Sequence, residues 1–89
     1  MVFWNASKAR ENERKHGVWF SDVELVFYDP FAVTTEDAAS AGERRFVTVG
    51  KDGFERILVV VYTYRGHDIR VISARTANHR EVKTYEEGL

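Results

Sequence analysis

Residues 55–75, with the sequence ERILVVVYTYRGHDIRVISAR, predict the centre of a β-sheet. The run from Ile57 to Val61 is apolar at every position, which is typical of a central strand buried on both faces. The segment RGHD (65–68) contains a glycine and indicates a turn, and the residues that follow it are rich in β-branched side chains. The stretch therefore predicts two antiparallel strands in the middle of the fold.

The second of these strands carries two arginines, Arg70 and Arg75. Guanidinium groups are always charged and are rarely buried without a partner, so each one either pairs with a carboxylate or faces an anion such as phosphate. For the set Arg65, Arg70, Arg75 and Arg80, a phosphate-facing role is the favoured interpretation. A regular strand places Arg70 and Arg75 on opposite faces, which leaves one of them structural unless the strand twists or bulges.

Two helices are predicted before the sheet. The first follows Asn5, a good N-cap, and ends at Gly17, a residue that suits the C′ position. The second lies in FSDVELVFYDP (20–30), where Ser21 and Glu24 have the spacing of a capping box. The Asp-Pro pair at the end of this segment stops the helix, because a residue before proline avoids the α region.

Shorter segments complete the chain: an apolar edge strand in VFW (2–4), strands in FAVTT (31–35) and RRFVTVG (44–50), an acidic loop EDAASAGE (36–43), and a closing helix in TANHREVKTYEE (76–87). Thr76 is the expected N-cap of that closing helix. The sequence therefore predicts one α+β domain over residues 1–89. It has a small antiparallel β-sheet, two N-terminal helices and one C-terminal helix.

Composition excludes several classes of protein. The 89 residues include no cysteine, so disulfides and cysteine-ligated zinc are excluded. No apolar run approaches the ~20 residues of a membrane helix, and the first residues lack the pattern of a signal peptide, so we expect a cytoplasmic protein without a membrane partner. The net charge of −1 is unusual for a nucleic-acid-binding domain, but residues 65–80 hold four arginines and one acid.

Catalytic motifs of three common kinds are missing from the sequence. The glycines do not form a phosphate-cradling loop, the three histidines are not spaced as a metal site, and Ser73 lacks the glycines of a nucleophile elbow. We therefore expect no metal and no cofactor. His16 precedes a glycine at a helix end, where a histidine is commonly a cation that satisfies carbonyls, but it is also a candidate general acid or base.

Several segments, taken in order, resemble the BrnT family of ribonuclease toxins from bacterial type II toxin–antitoxin systems. They are WNASKAREN (4–12), RKHGVWF (14–20), FYDP (27–30), RRFVTVG (44–50), LVVVYT (58–63) followed by RG, IRVISAR (69–75), and a closing RE…YE. The resemblance covers nearly the whole chain. It implies a fold similar to RelE-type ribonucleases and an endoribonuclease that cleaves RNA and inhibits translation and growth. It also implies a BrnA-like ribbon-helix-helix antitoxin as partner, with operator DNA bound only through the toxin–antitoxin complex.

The resemblance also implies a set of site residues. Arg70 and Arg75 match the family's strand motif and are the candidates for binding the scissile phosphate, while His16 matches its Lys-His-Gly segment and is the candidate acid or base. The RNA-binding candidates are Lys8, Lys15, Arg65 and Arg80, although basic side chains on the first helix are also typical of a solvated face. An alternative function is a non-catalytic interaction domain that acts through a partner complex.

Overall fold

A computed structural model describes residues 1–37 and 42–88. Its elements in chain order are β1 (Val2–Phe3), α1 (Ala6–His16), two 3₁₀ helices (Phe20–Asp22 and Glu24–Tyr28), β2 (Val33–Asp37), β3 (Arg45–Lys51), β4 (Ile57–Arg65), β5 (Asp68–Thr76) and α2 (His79–Glu87). The first two residues of the predicted acidic loop belong to β2, and residues 38–41 of that loop lie outside the described residues.

The five strands form one sheet in the order β1-β5-β4-β3-β2. The predicted hairpin is confirmed, because β4 lies at the centre and pairs antiparallel with β5 on one side and β3 on the other. The prediction of a purely antiparallel sheet is wrong. The apolar start of the chain forms the expected edge strand, but it runs parallel to β5, with the Ile69 amide donating to the Met1 carbonyl at 2.8 Å.

Only one of the two predicted N-terminal helices is an α-helix. In α1 the Asn5 side chain accepts a hydrogen bond from the Lys8 amide, and Gly17 takes the left-handed conformation that ends the helix. The predicted second helix is instead a pair of 3₁₀ turns without a side-chain cap. Its buried side chains, Phe20, Val23 and Val26, are three residues apart, and a 3₁₀ helix places such a series on one face.

The main core lies between one face of the sheet and the segment formed by α1 and the 3₁₀ turns. Its buried members are Ala9, Val18, Phe20, Val23, Val26, Leu58, Val60, Tyr62, Val71 and Ala74. We call the opposite surface of the sheet the outer face. Among the described residues, no helix is long and apolar enough to cross a membrane.

The C-terminal helix α2 is attached mainly by polar contacts, and none of its described residues is buried. Its N-cap is Asn78 rather than the predicted Thr76, which is the last residue of β5. Asn78 and Glu81 form a complete capping box. Towards the other end of the helix, the Tyr85 hydroxyl donates to Asp29 at 2.6 Å. These contacts determine where α2 meets the sheet.

Candidate active site

A β-bulge in β5 brings both strand arginines to the outer face. Ser73 pairs with Val61 and Val71 pairs with Tyr62, so Ile72 is an extra residue without a partner on β4. The alternation of faces therefore shifts by one residue at this point. Val71 and Ala74 point into the core, whereas Arg70, Ser73 and Arg75 share the outer face.

Arg75 lies opposite Val59 and is engaged by a carboxylate of α2. Its Nη1 and Nη2 atoms donate to the two carboxylate oxygens of Glu81 at 2.8 and 2.7 Å. This two-pronged bond lowers the pKa of Glu81 and raises that of Arg75. Because Glu81 also accepts from the Asn78 amide, Arg75 ties the end of β5 to the first turn of α2.

Arg70 lies opposite Thr63, half-buried on the outer face. Its guanidinium makes no hydrogen bond or ion pair with any residue in the ranges 1–37 and 42–88, although it contributes to lowering the pKa of Glu43. The two arginines therefore differ in kind. The Arg75 fork is occupied by protein, while the Arg70 fork retains its donors for another anion.

Helix α1 is docked beside β5 by a buried amide. The Asn12 Nδ2 atom donates to the carbonyls of Ala74 and Val18 at 2.8 and 2.9 Å, and its Oδ1 atom accepts from the Ala74 amide at 3.1 Å. These two contacts with Ala74 replace the backbone bonds that a neighbouring strand would make. Asn12 thus extends the sheet edge with a side chain and fixes the position of the end of α1.

A shallow depression of about 190 Å³ lies between α1 and the bulge. Its lining residues are Lys8, Glu11, Asn12, Lys15 and His16 of α1 with Ile72 and Ser73 of β5. Lys15 forms an ion pair with Glu11 at 2.9 Å, which lowers the pKa of Glu11. Since Ser73 also belongs to the outer face, the depression opens towards the strand that carries the arginines.

The remaining two predicted RNA-binding arginines are placed apart from this depression. Arg65 lies on the outer face at the end of β4, where its Nη2 atom contacts Glu43 at 3.0 Å. Arg80 is exposed in the first turn of α2 and does not line the depression. The structure therefore places Lys8, Lys15 and His16 in one depression and Arg65, Arg70 and Arg75 on the adjoining outer face.

Three contacts around the candidate site were not predicted from the sequence. Asn12 docks α1, Glu81 engages Arg75, and Glu43 engages Arg65. Only the role of Glu81 has a readable signal, because Asn78 and Glu81 have the N-x-x-E spacing of a capping box. The contacts of Asn12 and Glu43 join residues far apart in the chain, and no local pattern indicates them.

Cationic, anion-binding side chains and one imidazole dominate the site. Within the described parts of the chain, no group of three histidine, aspartate or glutamate side chains is arranged to hold a metal ion. An arrangement of free guanidinium, lysines and histidine is suited to binding a phosphodiester and moving a proton beside it.

Comparison with known proteins gives the family. The family model of the BrnT ribonuclease toxin of type II toxin–antitoxin systems matches residues 4–81. The chain belongs to the BrnT family. The resemblance in its sequence segments is thereby confirmed.

A solved BrnT structure has the same overall fold as this chain. The 1.1 Å crystal structure of the Brucella abortus ribonuclease toxin BrnT superposes with a TM-score of 0.69 at 25% sequence identity. The match covers 88% of this chain and 96% of the Brucella chain. No curated protein sequence matches the chain. The similarity to RelE-type ribonucleases that the resemblance implied stays a prediction.

Proposed function

We propose that this BrnT-family chain is a metal-independent endoribonuclease that cleaves RNA at the junction of α1 and β5. One observation carries the proposal: the bulge at Ile72 puts the fork of Arg70, which has no partner among the described residues, on the same surface as the depression that contains His16. Membership of a family of ribonuclease toxins supplies the class of substrate.

In the proposed reaction the 2′-oxygen of RNA attacks the adjacent phosphorus, and the bond to the 5′-oxygen breaks. The products are a 2′,3′-cyclic phosphate and a 5′-hydroxyl. Negative charge develops on the phosphoryl oxygens in the transition state, and the planar fork of Arg70 matches two of these oxygens. The interaction strengthens as the charge develops, which is the condition for lowering the barrier.

His16 is the proposed proton-transfer group. Imidazole both donates and accepts a proton near neutral pH, which suits removal of the 2′-hydroxyl proton or protonation of the 5′-oxygen. Lys8 and Lys15 line the same depression and would bind flanking phosphates, as would Arg80 on α2. We assign Arg75 a positioning role, because Glu81 already occupies its fork.

The proposed partner is a BrnA-like ribbon-helix-helix antitoxin, and operator DNA would be bound only through the complex of the two proteins. In the cell the toxin would act in the cytoplasm and halt growth until the antitoxin binds. Helix α1 supports this proposal, since it buries only Ala9 and Asn12, and Trp19 beyond it is 45% exposed. Aromatic and basic side chains are enriched at interface hot spots.

The alternative is a non-catalytic interaction domain. The observation that favours it is a set of exposed aromatic side chains remote from the depression: Tyr28, Phe31 and Phe54 are 72%, 71% and 67% exposed. RNA binding should weaken steeply with rising salt, whereas binding through an apolar surface should not. The salt dependence therefore separates the two functions.

The decisive experiment is cleavage of an end-labelled RNA by the purified chain in the presence of EDTA. We expect Arg70→Ala and His16→Ala to lower the rate by about 10²–10³-fold, the usual effect of removing one group that acts in the transition state. Arg10→Ala is the matched control, because Arg10 is an exposed cation of α1 that does not line the depression. Folded Arg70→Ala and His16→Ala variants with full activity would place the active site elsewhere.

A further inference from the structure

The outer face carries a second cluster of arginines around the carboxylate of Glu43. Glu43 lies 3.0 Å from Arg65 Nη2 and 3.7 Å from Arg45 Nε. The Arg65 hydrogen bond is the main cause of the lowered pKa of Glu43, and the charges of Arg45 and Arg70 lower it further. Three guanidinium groups from three neighbouring strands thus act on one anion.

The sheet register explains why these groups converge. Arg70 of β5 lies opposite Thr63 of β4, and the register that pairs Phe46 with Tyr62 brings Arg45 of β3 next to Thr63 from the other side. Thr63 is 3% exposed, and its hydroxyl donates at 2.6 Å to the backbone carbonyl of Arg44, the residue that precedes β3. The small residue Thr63 therefore lies between the strand positions of Arg45 and Arg70.

Arg65 adds a third donor on the same face. It follows Thr63 by two residues along β4, which corresponds to about 7 Å at the usual rise of a strand. The acid opposite Arg65 is Asp68, whose carboxylate contacts the Met1 ammonium at 3.1 Å. Asp37 is the residue opposite Arg45 on β2. Glu43 is the acid that contacts both Arg45 and Arg65.

We propose that Arg45, Arg65 and Arg70 form a subsite for the RNA phosphate next to the scissile one, and that Glu43 occupies this subsite until RNA displaces its carboxylate. The proposal rests on the proposed ribonuclease function. A guanidinium fork binds a phosphate as it binds a carboxylate, and Arg70 is shared between this subsite and the scissile phosphate.

Continuity with the candidate active site favours RNA over a carboxylate of a protein partner. The cluster and the depression adjoin the same strand, β5, and share its outer face. An RNA strand presents one phosphate after another, so a chain seated at Arg70 would carry its next phosphate along this face. Glu43 then competes with substrate for the arginines and restrains the affinity of the free toxin.

Substitution of Glu43 tests the proposal, with Glu36 as the matched control. Glu36 also pairs with an arginine at 2.9 and 3.0 Å, but it lies on the other side of the sheet, opposite Phe46. Glu43→Gln and Glu36→Gln therefore change the net charge equally. The probe is a fluorescent 2′-O-methyl RNA oligonucleotide, which cannot undergo attack by its own 2′-oxygen, and the measurement is the anisotropy of its complex with the full chain.

We expect Glu43→Gln to tighten binding by about twofold to fivefold, the scale of one exposed ion pair that no longer has to be broken. Glu36→Gln should leave the affinity within the small change caused by net charge. The gain from Glu43→Gln should disappear when Arg65→Gln is also present, because the two side chains act through one contact. Arg65→Gln alone should reduce the slope of log affinity against log salt by about 0.7.

Equal tightening by Glu43→Gln and Glu36→Gln would overturn the proposal, since net charge would then explain the effect. So would unchanged RNA affinity of Glu43→Gln, or a gain seen only in binding of a protein antitoxin. Cleavage of unmodified RNA is measured with the same samples. If Glu43→Gln tightens RNA binding but the chain does not cleave RNA, the ribonuclease function is refuted and the phosphate subsite stands. If the chain cleaves RNA but Glu43→Gln leaves RNA binding unchanged, the subsite is refuted and the ribonuclease function stands.

Discussion

Replacement of Asn12 by alanine removes the amide that docks α1 against β5. The side chain makes three hydrogen bonds, two to carbonyls and one from the Ala74 amide, at 2.8–3.1 Å. Each is worth about 1 kcal/mol net, and the buried backbone groups left without a partner add to the loss. We therefore expect the free energy of unfolding to fall by about 2–4 kcal/mol, a large fraction of the stability of a chain of this size.

Urea denaturation followed by circular dichroism measures this loss. With a slope of about 1 kcal/mol per molar urea, the midpoint should fall by about 2–4 M. Ser7→Ala is the matched control, because Ser7 is exposed in the same helix and its substitution should change the midpoint little.

Asn12→Asp is a sharper form of the same experiment. One oxygen of the introduced carboxylate still accepts from the Ala74 amide. The other oxygen replaces the donating Nδ2 group and, without a proton, faces the carbonyls of Ala74 and Val18. The variant should therefore be at least as unstable as Asn12→Ala at neutral pH, and it should regain stability in acid, where a protonated carboxyl donates one bond. An Asn12→Ala midpoint within error of the unsubstituted chain would refute the claim that this amide replaces a strand.

Three further predictions concern other contacts. Glu81→Gln should reduce the loss of stability on acidification, as measured by denaturation at several pH values. Because the pKa of Glu81 is lowered in the folded chain, its contribution to the free energy of unfolding is complete above the ordinary glutamate pKa and is lost as the pH falls through the lowered value. Tyr85→Phe should lower the free energy of unfolding by about 1.5–3 kcal/mol and remove one high-pH phenol transition from an absorbance titration, because burial and the Asp29 bond raise the pKa of Tyr85 to about 12. The stabilisation by Tyr85 is complete below the ordinary tyrosine pKa and is lost as the pH rises through about 12. Gly50→Ala should destabilise the chain by about 1–3 kcal/mol, since the new Cβ would lie 3.0 Å from Val26 Cγ1 and 3.2 Å from Ala32 Cβ. Gly53→Ala is the control: its Cβ would meet only the side-chain end of the exposed Leu25, so it should cost less, and equal losses of stability would contradict this packing argument.

Local patterns predicted much of the fold. The apolar run of β4 and the turn at residues 65–68 gave the central hairpin, and Asn5 and Gly17 bounded α1 correctly. The parallel pairing of β1 with β5 was not predicted, because it joins residues from the two ends of the chain. The 3₁₀ turns were mistaken for an α-helix, although their buried residues recur every three positions rather than at mixed spacings of three and four.

The candidate site was predicted in its residue types more than in its geometry. Strict alternation placed Arg70 and Arg75 on opposite faces, and only the extra residue at Ile72 reverses that result. A bulge of this kind depends on how two strands pair, so the amino-acid sequence of β5 alone does not predict it. The partner of Arg75 was closer to hand, because the capping-box glutamate Glu81 follows it by six residues.

The Asn12 amide also limits how copies of this chain can stack. An exposed strand edge is a template for further strands, and proteins commonly block it with charge, proline or a bulge. Here the β5 edge is closed by the two residues of β1 and then by an amide, so within the described residues the long free edge of the sheet is that of β2. If two copies paired through their β2 edges, neither edge would remain exposed and the product would be a closed dimer. An open-ended fibre requires two different exposed strand edges on every copy. The short strand β1 and the Asn12 side chain together therefore remove one of the two edges from which cross-β polymerisation would propagate.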